Sequence, residues 1–233
     1  MLEDVAFLFA PTMRSRSYAQ LMRAHDLMPK IGLALGGEDA AWDGPQTVRT
    51  GIDPFVFRPG ETARETLGAA TATIVETGES DINSTAIVEA VSRLGPSIII
   101  FSGPSGALLR EPILATGKKF LHVHGGVAPH YRGSTAFYYS LLREGTIGAT
   151  ALFLDNGIDT GPILRHKTYV PESGVDIDRI LDPLIRGSLL VDVLGDISRG
   201  KILQTSTGNE DGTTYHVIHP ILKHLALRKV AGG

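Results

Sequence analysis

Phe120-Leu121-His122-Val123-His124-Gly125-Gly126, leading to Tyr131-Arg132-Gly133, and then Asp155-Asn156-Gly157-Ile158-Asp159-Thr160-Gly161-Pro162 are the stretches on which this sequence turns. The first reads as a buried strand running into a glycine-rich turn. Side chains two apart on a strand point the same way, so His122 and His124 share a face. Asp159 follows a second apolar strand, residues 150–154, and is flanked by glycines. A His and an Asp at the ends of two strands of one sheet make a plausible acid/base pair. An enzyme is the first reading.

The rest of the composition narrows the class. A chain of 233 residues with 42% hydrophobic and 20% charged side chains has the make-up of a globular domain with a sizeable core. A net charge of -3 offers no general attraction to nucleic acid or an anionic membrane, so neither is expected as a partner. The absence of cysteine removes disulfides, thiol nucleophiles and thiolate metal sites. Glu3 and Asp4 precede an apolar run too short for a signal sequence. The longest uncharged apolar run, residues 96–101, is far below bilayer-spanning length. A cytoplasmic protein is expected.

Short β-branched runs alternate with helical patterns, the mark of a mostly parallel α/β sheet. Strands are expected at residues 5–9, 31–35, 72–75, 97–101, 120–123, 150–154 and 163–170. Helices are expected after Ser15 or Ser17 as far as His25, after Asp81 or Asn83, and over 134–143. A long helix over 176–198 should kink near Pro183. Residues 38–59 carry many Gly, Pro and Asp and read as a loop. Residues 204–212 read as a polar loop and 215–230 as a strand or short helix. The domain reading is a catalytic body over 1–203 and a tail over 204–233 that covers the sheet or a homodimer interface.

At these motifs the chain resembles the folate-dependent formyltransferases, the family of glycinamide ribonucleotide and methionyl-tRNA transformylases and sugar-nucleotide N-formyltransferases. That family reads Asn-x-His, a short loop to Leu-Pro, Tyr-x-Gly, and later Asp-x-Gly-Ile/Leu-Asp-Thr-Gly. Here those positions are His122 to His124, Gly125 to Pro129, Tyr131 to Gly133, and Asp155 to Gly161. The resemblance is continuous over 97–164 and looser over 5–35. It implies a Rossmann-like α/β fold, a mostly parallel twisted sheet with helices on both faces.

It also implies formyl transfer from 10-formyltetrahydrofolate to a primary amine of a small molecule, a nucleotide-linked amino sugar or a biosynthetic amine. The family's catalytic histidine falls on His124 and its aspartate on Asp159. His122 stands where the family has its catalytic Asn; an imidazole can donate as the amide does, from a bulkier ring with a titrating proton. The pterin would lie against Gly106, Leu108 and Leu109, with Leu154, Asp155, Asn156, Gly157 and Ile158 closing the other side. Arg14, Ser15 and Arg16, in the turn after the first strand, would suit a substrate anion. Gly125, Tyr131 and Arg132 are further substrate-binding candidates. A chain of this length has no room after Gly200 for the C-terminal barrel of the methionyl-tRNA enzymes, which argues against a tRNA acceptor.

Rival readings stay open at this point. The His122 change could mark a formyl-folate hydrolase or another folate-linked one-carbon transferase, or a disabled ligand-binding module. A His-x-His pair with an Asp could ligate zinc, but no fourth ligand stands out and no metal is expected. The segment Ser102-Gly103-Pro104-Ser105-Gly106 lacks the spacing of a dinucleotide site.

Overall fold

The computed structural model describes residues 1–70, 72–206 and 212–230. Its centre is a seven-stranded sheet built from β1 (Leu2–Phe9), β2 (Pro29–Ala34), β3 (Thr73–Glu76), β4 (Ile98–Ser102), β5 (Lys119–His124), β7 (Ile147–Phe153) and β8 (Ile163–Tyr169), in the order β3-β2-β1-β4-β5-β7-β8. The first five in that order are parallel; β7 runs antiparallel to β5, and β8 to β7. A two-stranded pair joins β6 (Arg132–Gly133) to β9 (Thr214–Tyr215).

The centre of the sheet is buried on both faces, and β1 shows why its sequence is almost continuously apolar. Val5, Phe7 and Phe9 enter one core cluster with Tyr18, Leu21 and Met22 of α1 (Met13–Ala24) and the apolar stripe of α6 (Asp182–Ser198). Ala6 and Leu8 point the other way, toward Ile87 and Val91 of α3 (Thr85–Arg93) and Ile113 of α4 (Glu111–Leu114).

Several caps lie beside the expected residues. Thr12, not Ser15 or Ser17, caps α1, accepting from the Ser15 N–H at 3.2 Å. Ser84, not Asp81 or Asn83, caps α3. A helix absent from the sequence reading, α2 (Ala63–Ala69), opens on a capping box in which Thr62 and Glu65 satisfy each other's N–H groups. The Thr-x-x-Glu signal was there, hidden behind the glycine- and proline-rich loop before it.

Where a kink is expected near Pro183, the structure shows a change of helix type. Residues Ile177–Leu181 make a π-helical turn, in which the Asp182 N–H reaches back to the Ile177 carbonyl, and a regular helix follows. One extra residue per turn keeps the missing proline N–H out of the ladder. The end of the chain holds both expected forms, β9 and then α7 (Pro220–Val230), which packs on α5 (Ala136–Glu144). Of the expected polar loop 204–212, residues 207–211 lie outside the described residues.

Candidate active site

Alternation along β5 sends Leu121 and Val123 into the α1/α6 core, while Phe120 joins the α3/α4 core. His122 and His124 therefore follow Phe120 onto the α3/α4 side, beyond the end of the helices that cover it. The loops after β4 and β7 roof this space instead and enclose a cavity of about 540 Å³. His122, His124 and Asp159 all line it.

Asp159 does not stand at a strand end beside His124, as the sequence suggests. Because β7 is antiparallel, its last residue Phe153 pairs with Leu121, and Thr150 is the partner of His124. The segment after β7 has to fold back across the sheet to bring Asp159 to the histidine. Asp155 fixes that reversal by accepting from the Gly157 N–H (2.9 Å) and the Thr160 hydroxyl (2.7 Å). Asp159 itself takes a left-handed conformation, φ +52°, which aspartate tolerates better than most residues.

The resulting pair is tight and nearly dry. His124 Nδ1 lies 3.1 Å from Asp159 Oδ2, with the two side chains 6% and 11% exposed. Asp159 Oδ2 also accepts the Gly133 N–H at 2.9 Å. His124 Nε2 lies 2.7 Å from the Tyr131 carbonyl and donates to it. Both ring nitrogens thus face acceptors, an arrangement only the doubly protonated ring satisfies fully. Burial, joined by the nearby Arg186 charge, nevertheless pulls the His124 pKa below its ordinary value, against the attraction of Asp159. Burial would raise the Asp159 carboxyl, but the two histidines and the Gly133 N–H hold it below the usual carboxylate range. Thr150, fully buried, pins the turn that follows His124: its hydroxyl donates to the Gly126 carbonyl (2.7 Å) and accepts from the Ala128 N–H (2.9 Å).

His122 stands at the position where the resemblance implies an amide. Its Nδ1 faces the Phe101 carbonyl at 3.4 Å, and the two rings lie 5.9 Å apart. Burial, then the Arg14 charge, pushes its pKa down to about 3. The neutral ring that donates from Nδ1 keeps Nε2 as an acceptor. In that state it does not reproduce the amide's hydrogen-bond donor.

The expected donor wall is brought together. Gly106, Leu108, Leu109, Leu154, Asp155, Asn156, Gly157 and Ile158 all line the cavity. Asn83 holds the first of these loops, donating to the Leu108 carbonyl (2.9 Å) and accepting from the Arg110 N–H (2.8 Å). The Leu108 carbonyl is therefore already engaged.

The expected acceptor residues are dispersed, and only Arg14 lines the cavity. Ser15 is buried against Ser102 (Oγ to Oγ 2.8 Å). Arg16 is buried too, donating to the Pro59 and Ala40 carbonyls and pairing with Asp39, so it anchors the 38–59 loop instead of meeting an anion. Tyr131 donates its hydroxyl to Glu144 and Arg132 donates to the Gly212 carbonyl, both away from the cavity. Gly125 serves by lacking a side chain: a Cβ there would come within 2.4 Å of Arg186 Nη2 and 2.6 Å of Asp182 Oδ1.

Asp178, Asp182 and Arg186 are the lining residues the sequence reading missed. They recur every fourth residue along the helical segment, and that spacing is the available signal. Thr135, Phe137 and the tail residues Thr214 to Val217 complete the wall. Among the described residues no set of three His, Asp or Glu side chains is arranged to hold a metal ion, and no helix is long and apolar enough to cross a membrane.

Known proteins resemble this chain in sequence and fold. The family model described as "Formyl transferase" matches residues 59–174. A methionyl-tRNA formyltransferase of Caldanaerobacter subterraneus subsp. tengcongensis is 25% identical over 151 residues, 63% of this chain and 48% of its own length. The chain spans about half or less of the length of the curated relatives it matches. Among solved structures, a sugar N-formyltransferase from Shewanella superposes with a TM-score of 0.60 at 15% identity, covering 97% of this chain and 87% of that one. Glycinamide ribonucleotide transformylase 1 from Symbiobacterium toebii gives 0.59 at 14% identity, covering 87% and 92%. At such identities the likeness is one of fold.

Proposed function

This chain belongs to the formyl transferase family, and from that premise we propose that it transfers a formyl group from 10-formyltetrahydrofolate to a primary amine of a small molecule, a nucleotide-linked amino sugar or a biosynthetic amine. The observation that carries the reading is the buried His124–Asp159 pair opening onto a cavity whose other wall is the loop pair 104–109 and 154–158. That wall combines the apolar side chains of Phe101, Leu109 and Leu154 with the short loops that carry Gly106 and Gly157, a surface suited to a flat heterocycle. Bound there, the folate would supply the formyl carbon.

The protein's part is proton movement and charge stabilisation. The attacking amine becomes an ammonium as its nitrogen bonds to the formyl carbon, and negative charge develops on the formyl oxygen. Asp159 Oδ1 has no partner among the described residues and can take the ammonium proton, directly or through water. The proton then rests in the His124–Asp159 pair, where the imidazolium donates to Tyr131 and Asp159 at once. Its positive charge, with that of Arg186, offsets the oxyanion in a dry site where electrostatic terms are strong. Burial disfavours a charged His124; a developing anion would raise its proton affinity as the proton arrives, and the pair would return that proton to the folate nitrogen as the bond between that nitrogen and the formyl carbon breaks. We take residues 1–203 as the catalytic body and 204–233 as a tail, of which Thr214 to Val217 line the cavity.

Equilibrium titration of the protein with 5-formyltetrahydrofolate tests the donor site, and loss of 10-formyltetrahydrofolate in the presence and absence of amines tests the reaction. Micromolar binding and amine-dependent turnover are expected. Turnover that no amine accelerates would move the assignment to a hydrolase, and binding without any turnover to a ligand-binding module.

A further inference from the structure

The His124–Asp159 pair is held from one short segment. The Tyr131 carbonyl accepts from His124 Nε2 at 2.7 Å, and the Gly133 N–H donates to Asp159 Oδ2 at 2.9 Å. The pair is therefore placed only as firmly as residues 131–133 are. Those residues do not belong to the seven-stranded sheet. Their strand β6 has β9, far along the chain, as its only strand partner among the described residues. A two-stranded pair this short has little stability of its own, so side chains have to hold it.

The backbone contacts are close. The Arg132 N–H donates to the Thr213 carbonyl (3.1 Å) and the Ser134 N–H to the Tyr215 carbonyl (3.0 Å). The Arg132 guanidinium reaches the Gly212 carbonyl at 2.8 Å. Gly133 takes φ +87°, and a Cβ there would come within 2.3 Å of the Tyr215 carbonyl oxygen. Glycine is what lets the two strands approach this nearly.

Aromatic packing ties the pair to α5. The Tyr215 ring stacks on that of Tyr131 (centroids 5.6 Å, planes 17° apart) and on that of Tyr139 (4.4 Å, 29°). Arg143 donates to the Tyr215 hydroxyl at 2.8 Å. The following residues stay fastened to the same helix. The Tyr139 hydroxyl donates to the His216 carbonyl (3.2 Å) and the Ile218 N–H to the Thr135 hydroxyl (2.9 Å). One ring thus joins α5 to the residue whose carbonyl holds His124.

Resting on the formyl-transfer reading above, we propose that Tyr215 is a positioning residue for the His124–Asp159 pair, its ring fixing Tyr131 and its carbonyl fixing the strand that carries Gly133. Without the stacked ring the Tyr131 carbonyl moves off His124. The imidazole then loses the acceptor that favours its protonated form, and the pair holds the amine proton less well. The charged groups acting on His124 are Asp159 from the loop after β7 and Arg186 and Asp182 from α6, with His122 beside it on β5. A substitution at Tyr215 alters none of these groups.

The test uses Y215L, which keeps bulk without the ring, and Y215F, which keeps the ring without the hydroxyl. Y139L removes the stacking partner on α5, a residue that does not line the cavity. The His124 ring is titrated by NMR of the nitrogen-labelled protein, and 5-formyltetrahydrofolate affinity is measured by isothermal titration. Turnover of 10-formyltetrahydrofolate with the fastest amine of the assay above is split into kcat and KM; the ring titration decides alone where no amine turns over. In Y215L and Y139L the His124 midpoint is expected about half a pH unit or more lower, with kcat down about tenfold and folate affinity within about twofold of wild type. Y215F stays close to wild type. A His124 titration unchanged in both Y215L and Y139L overturns the proposal, even with a raised KM, because Tyr215 is then only a wall of the cavity. Equal losses in Y215F and Y215L overturn it as well, since the stacked ring would not be responsible. If Y215L does not fold, Y139L carries the same expectation. A wild-type protein without affinity for 5-formyltetrahydrofolate, whose variants still shift His124, would sink the formyl-transfer reading and leave the positioning role standing.

Discussion

His124 Nδ1 lies 3.1 Å from Asp159 Oδ2 although the strand that precedes Asp159 runs away from the histidine. The contact exists because the Asp155-anchored loop turns back across the sheet. If this pair accepts the amine proton, H124A and D159N should each lower kcat/KM by about two decades or more while changing 5-formyltetrahydrofolate affinity little. Near-wild-type rates in both variants would remove the pair from the mechanism.

Thr150 is the support on which that geometry rests. Replacing its hydroxyl in T150V strands the Ala128 N–H and the Gly126 carbonyl, both of which it satisfies inside the protein. A loss of about 1–3 kcal/mol in denaturant stability is expected, together with a fall in activity as the turn after His124 loosens. Unchanged stability would mean that the turn holds without it.

The acid limb of the stability curve should report His122. Its folded pKa of about 3 lies below the unfolded value of 6.5. Between those values the unfolded chain binds the proton and the folded one does not, so stability is full above pH 6.5 and falls as the pH drops toward 3. The slope from this one site approaches roughly 1.4 kcal/mol per pH unit. H122N should flatten the limb in that window. An unaltered limb would mean that His122 is not held neutral in the fold.

Asn83 gives a prediction about the donor wall alone. N83A frees the Leu108 carbonyl and the Arg110 N–H on an exposed loop. Global stability should shift by no more than about 1 kcal/mol, while the KM for the formyl donor rises several-fold with kcat little affected. A change in kcat without one in KM would place this loop outside the donor site.

Gly125 answers to sterics. G125A would put a methyl 2.4 Å from Arg186 Nη2, and overpacking of this kind typically costs about 1–3 kcal/mol. Activity should fall because Arg186 and Asp182 must move. Thermal melting and turnover with the same preparation check both effects.

Much of this was legible in the chain itself. The apolar runs of β1, β4 and β5 have no other stable place than a sheet covered on both faces, and two histidines two residues apart had to share a side of β5. The glycines around Asp159 mark a turn; such features follow from local periodicity and turn chemistry, which each short segment carries on its own. That Gly106, Leu108, Leu109 and residues 154–158 neighbour the site is implied by the resemblance to the formyltransferases alone.

Only the tertiary structure decided the rest. The direction of β7 is not written in its residues, because parallel and antiparallel strands share the same apolar pattern, and that direction determines how Asp159 reaches His124. Arg14 and Arg16 look alike in sequence, yet one faces the cavity and the other is spent on the 38–59 loop. Asp178, Asp182 and Arg186 became part of the site only when the π turn before Pro183 set the helix's rotation and Gly125 left space beside it. Partners distant along the chain are chosen by packing, and packing is a property of the whole fold.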